Sequence, residues 1–114
     1  MRPPIEERII QYLTECGWPA YAERPPNPPK KYVIIDRING EIKNCMGTAQ
    51  IAVQSIAPTL DEALTINEAV IEDMLAFTER NDIAKSKLDN CYNYSNAADH
   101  TYKYQAVFEL VYYR

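Results

Sequence analysis

The chain has 114 residues, 46% of them hydrophobic, which suffices for a single domain with one core and is too apolar for extended disorder. Its net charge of −4 and pI near 5.0, with no cluster of Lys and Arg, disfavour a grip on DNA or RNA phosphates. No apolar run approaches the ~18 residues of a membrane span and no basic, apolar leader opens the sequence, so the chain is expected to stay in a cytoplasm unless something else carries it out.

The first predicted helix follows Arg2-Pro3-Pro4, since proline is harmless in a first turn, and carries Glu6 and Glu7 at its positive end. Ile5, Ile9, Tyr12, Leu13 and Cys16 form its buried stripe, and Gly17 is the expected stop. Residues 18–23 suit a brief edge strand, because Pro19 keeps them out of a sheet centre. Four prolines follow within residues 25–29, a stiff extended arm. Pro25 and Pro28 satisfy P-x-x-P; a rigid surface connection, or a contact with a neighbouring subunit, outweighs an SH3-type ligand.

Residues 31–38 alternate as a strand, with Tyr32, Ile34 and Ile38 opposite Val33 and Ile35. Asn39-Gly40 predicts a two-residue hairpin turn. A return strand running unbroken from 41 to 57 would be unusually long, so Gly47 marks a bulge, a bend or the end of a projecting hairpin. In residues 50–57, Ile51, Val53 and Ala57 alternate with Gln50, Ala52, Gln54 and Ile56, and Pro58 closes the strand. Thr59 and Glu62 have capping-box spacing at the start of the longest helix. Its apolar half carries Leu60, Ala63, Leu64, Ile66, Val70, Ile71, Met74, Leu75 and Phe77, a width suited to lying on a sheet. Asn67 falls within that arc and is expected to be a hydrogen-bonded residue near the core rim.

After a break at Asn81-Asp82, Leu88, Tyr92 and Tyr94 suggest a strand with Cys91 on its other face. Residues 95–100 are expected to form a polar loop. Residues 101–114 then give the longest alternation in the chain: Tyr102, Tyr104, Ala106, Phe108, Leu110 and Tyr112 against Lys103, Gln105, Val107, Glu109, Val111 and Tyr113. The second set is half apolar, as expected of a strand that sits under something or meets a partner. Six of the nine tyrosines lie beyond residue 90, a residue type suited to half-buried sheet surfaces and subunit contacts. The expected architecture is α+β: one domain over residues 1–114, a mostly antiparallel sheet with two helices packed on one face, a two-layer sandwich.

Chemistry-bearing patterns are sparse. Cys16, Cys45 and Cys91 are odd in number and widely spaced, which argues against a disulfide framework or a zinc site and for reduced, structural thiols. His100 stands beside Asp99 in a polar loop without the partners of a catalytic or metal-bound histidine. No phosphate-loop, dinucleotide, nucleophile-elbow or zincin motif occurs. The expectation is a non-enzyme with no catalytic, cofactor-binding or metal residues; a small enzyme using Cys91, His100 or Asp99 is the weaker alternative.

Taken in order, the segments resemble a known family. They are P-x-Y-A-E-x-P at Pro19 to Pro25; P-x-K-Y-V-x-I at Pro29 to Ile35; a corner carrying Ala49, Ile51, Val53, Gln54, Ala57, Thr59, Glu62 and Ala63; and Y-x-Y-x-A-x-F-E-L at Tyr102 to Leu110. Together they resemble the small tail-terminator and head-to-tail joining proteins of long-tailed bacteriophages, over nearly the whole chain. The proline density at 25–29 departs from that pattern. The resemblance implies a structural virion protein of the tail or neck, assembled in the host cytoplasm. It implies a homo-oligomeric ring, commonly of six copies, that ends the tail tube and binds a neck or head-completion protein, with DNA passing through the lumen unbound. It supplies no catalytic residues. Candidate subunit or partner contacts are Pro25, Pro26, Pro28, Asn39, Gly40, Val107, Val111 and Tyr113. The competing expectation is an α+β adaptor or regulatory module, outside virions, that binds a protein partner at a sheet edge.

Overall fold

The structure, a computed structural model, describes residues 3–80, 82–95 and 102–113. In chain order it comprises α1 (Ile5–Glu15), β1 (Ala20–Tyr21), β2 (Tyr32–Lys43), β3 (Met46–Ala57), α2 (Leu60–Ala76) with a 3-10 turn at Phe77–Glu79, β4 (Ile83–Asn93) and β5 (Tyr102–Tyr113). The strands form one sheet in the order β1-β2-β3-β5-β4. Only the short β1–β2 pair is parallel; the other three pairings are antiparallel.

The central pair is β3 with β5, matched without interruption from Met46↔Tyr113 to Ala57↔Tyr102. Strict alternation along both strands sends Ala49, Ile51, Val53 and Ala57 to one face with Ala106, Phe108, Leu110 and Tyr112, all buried. Both helices cover that face. Glu6 on α1 reaches Arg37, which pairs with Ile51, while Asn67 on α2 reaches Cys91, which pairs with Ala106. Ile5, Ile9 and Leu13 from α1 and Ala63, Ile66, Val70 and Met74 from α2 complete one core. This is the α+β two-layer arrangement expected from the pattern of elements.

Asp73 fastens the helices together. Its main-chain oxygen accepts from the Tyr12 hydroxyl at 2.6 Å and its carboxylate from the Trp18 indole at 2.7 Å. Arg8, buried within the α1 stripe, fastens the chain ends. Its guanidinium donates to the carbonyls of Pro3 and Tyr113, both at 2.8 Å, lies 3.3 Å from the Asp82 carboxylate, and stacks over the Tyr112 ring.

Several details differ from the sequence reading; Cys16, expected in the buried stripe of α1, is the C-cap of that helix and is exposed. The hairpin does not turn at Asn39-Gly40: β2 continues through both residues and the reversal falls at Asn44-Cys45, between the pair Lys43↔Met46. Asn44 supplies the positive φ of 59° that such a turn needs, while Asn39-Gly40 follows a bulge at Ile38. The capping box is only half as expected. Thr59 Oγ1 accepts from the Glu62 amide, but the Glu62 carboxylate lies 3.9 Å from Lys31 Nζ. On α2 the buried arc is narrower than the apolar one, leaving Leu60, Leu64 and Leu75 exposed. A bulge between Leu88 and Asn90 turns β4 by one residue, so Leu88 and Cys91 share the helix-covered face and Tyr92 points the other way.

Gly47 occupies a regular position within β3, so the long hairpin is two strands of 12 residues rather than one interrupted strand. Its side chain is missing for a packing reason: a Cβ there would fall on the phenol ring of Tyr112, its cross-strand partner. Replacing Gly47 with Ala is therefore expected to cost about 2 kcal/mol by forcing the ring aside. Urea denaturation checks this, and the penalty should shrink in a Tyr112→Ala background.

Candidate functional site

Helices cover one face of the sheet, so the sheet itself offers a partner its other face and its two edges. On the open face Gln54 Nε2 donates to Gln105 Oε1 at 3.0 Å, and Gln105 Nε2 donates to the Tyr92 hydroxyl. This amide ladder crosses β3, β5 and β4 and satisfies a glutamine that is itself buried. Toward the hairpin end the same face forms an open concavity of about 430 Å³, lined by Asn39, Glu41, Thr48, Gln50, Asp89 and Glu109 among others. Three carboxylates there give it an acidic character; Glu109 lies 3.7 Å from Lys85.

One edge is the outer side of β2. The short β1 covers only Val33 and Ile34, so that among the described residues the strand from Asp36 onward has no outer neighbour, its residues all exposed. The opposite edge is β4, which among the described residues pairs only with β5. Exposed Lys85 and Lys87 and two register shifts mark it, features that commonly keep an edge from pairing indiscriminately.

The candidate contact residues do not form one patch. Pro25, Pro26 and Pro28 lie in the connection between β1 and β2, with Pro26 exposed and the other two half-buried. Asn39 and Gly40 stand on the exposed β2 edge. Val107, Val111 and Tyr113 line the open face of β5, but Val107 is only 6% exposed, because its strand is central and Ala52 and Asn90 flank it. Tyr113 is exposed and Val111 half-buried. His100 and Asp99 lie outside the described residues.

Among the described residues no group of three or more His, Cys, Asp or Glu is placed to hold a metal ion. All three cysteines are free thiols. Partial burial, then the Asp73 carboxylate, push the Cys16 thiol up from its ordinary pKa, which favours the unreactive protonated form. Asn67 is deeper than a rim residue, 2% exposed, with Nδ2 donating to Cys91 Sγ at 3.0 Å. Arg8 and Gln105 are structurally important residues that the sequence reading did not single out. Arg8 had a visible signal, since Ile5, Arg8, Ile9 and Tyr12 fall on one helical stripe.

No protein-family model matches this chain, and no curated protein matches its sequence.

The most perturbed group in the helix layer is Tyr12, whose phenol is pushed up from 10.0 to about 12, chiefly by burial and then by Cys16 and Asp73. Ionisation would also remove its hydrogen bond to the Asp73 carbonyl. The unfolded chain releases this proton first, so the stabilisation is complete below pH 10 and is lost as pH rises towards about 12. Denaturation midpoints across that window should fall less steeply for Tyr12→Phe than for the wild type.

Proposed function

We propose that this chain is a ring-forming structural protein of the bacteriophage tail-terminator and head-to-tail joining type. In this reading it closes the end of a tail tube and joins the tail to the neck, with six copies surrounding a passage for DNA. The observation that carries the reading is a single sheet that, among the described residues, has a length of strand with no outer neighbour at each side, β2 beyond Ile35 and β4, opposite edges of one subunit that can be repeated around an axis. The ordered resemblance in the sequence points the same way. Its corner positions Ala49, Ile51, Val53, Ala57 and Ala63 all lie in the core, so the family-like pattern coincides with the scaffold that presents those edges. The net charge of −4 suits a passage that does not hold DNA.

The exposed Ile38 and Ile42 on the β2 edge also suit a peptide-binding adaptor, the second reading. Polymerising tail-tube protein separates the two. A tail terminator added during polymerisation should shorten the tubes and appear at their ends by electron microscopy. Tubes of unchanged length with no additional density at either end would contradict the proposal.

A further inference from the structure

The cross-strand registers show that the two free edges face outward at the same height. Following the pairs across the sheet, Ile83 leads to Tyr112, Gly47 and Ile42. Lys85 leads to Val111, Thr48 and Glu41, and Lys87 leads to Glu109, Gln50 and Asn39. The free stretch of β2 thus lies level with the first half of β4. The two strands also run in opposite directions, because three antiparallel steps separate them.

We infer that residues 83–87 of one copy add to the outer edge of residues 39–42 of the next, as a level antiparallel pair between two copies of this chain. The inference rests on the ring-forming reading above and specifies the surface that would build the ring. Charge is complementary across the junction. Lys85 and Glu41 both project from the open face and meet in a level repeat, so a lysine that blunts an isolated edge meets a carboxylate on the neighbouring copy.

Apolar surface is complementary on the other face. Ser86 Oγ donates to the Met74 carbonyl at 2.7 Å, which seats the end of α2 beside this part of β4 and leaves Leu75 42% exposed. Ile42 pairs with Gly47, projects to the helix side, and is 54% exposed. A level repeat brings these two side chains together. It also uses different surfaces on the two partners, so repeated contacts can close into a ring.

The test places Cys at Glu41 and Lys85 in a chain whose Cys16, Cys45 and Cys91 are replaced by Ser. A short bismaleimide is added to protein shown by sedimentation to be associated. The E41C/K85C variant should give a ladder of covalent oligomers, whereas either single variant should give none beyond dimer. Leu75→Asp in the Ser background should weaken association roughly tenfold by sedimentation, a change set by losing one apolar contact. Association without the E41C/K85C ladder overturns this interface while leaving ring formation standing. A chain that stays monomeric from dilute to near-saturating concentration also overturns it, leaving the tube-capping assay to decide the function.

Discussion

The uninterrupted pairing of β3 with β5 is the constraint on which the rest of the molecule depends. Twelve matched pairs from Met46↔Tyr113 to Ala57↔Tyr102 join strands far apart in sequence and set the register of the whole sheet. With side chains alternating on a pleated pair, this register determines which residues form the floor of the core and which form the open face. The absent side chain at Gly47 belongs to the same constraint, because Tyr112 can lie flat there only over bare backbone.

The helices then lock the layer together. Asp73 holds Tyr12 and Trp18, while Arg8 ties the start of α1 to the end of β5 and to Asp82. A buried guanidinium is costly unless its donors are satisfied, and Arg8 has two carbonyls, a carboxylate and an aromatic face. What remains uncommitted is the backbone at both sides of the sheet. In the proposed function those edges are the working parts, and the core holds them level.

Much of this fold could be read from residue patterns. The alternations in β3 and β5, the Ile5, Ile9 and Leu13 stripe of α1 closed by Gly17, and the Thr59 cap all appear as the local physics requires, whereas Tyr12 is only half-buried and Cys16 is exposed. The misread turn shows where local rules stop. Asn39-Gly40 has strong turn chemistry, yet pairing along β3 carries β2 past it to Asn44. The exposed Leu64 and Leu75 show a related limit, since an apolar arc on a helix does not state how much of it the sheet covers. For the candidate contacts, sequence alternation correctly put Val107, Val111 and Tyr113 on one face of β5. It could not show that Val107 lies under its strand neighbours. The free edges were less legible still, because strand order is a property of long-range pairing.

Hydrogen exchange of the backbone amides, compared between dilute and assembled protein, reads out whether the free edges are the surfaces that join the copies. Amides on a free edge exchange readily and become protected only when another strand supplies acceptors. Assembly should slow exchange in residues 39–42 and 83–87 together. Assembly that leaves both segments exchanging at their dilute rates would contradict the account.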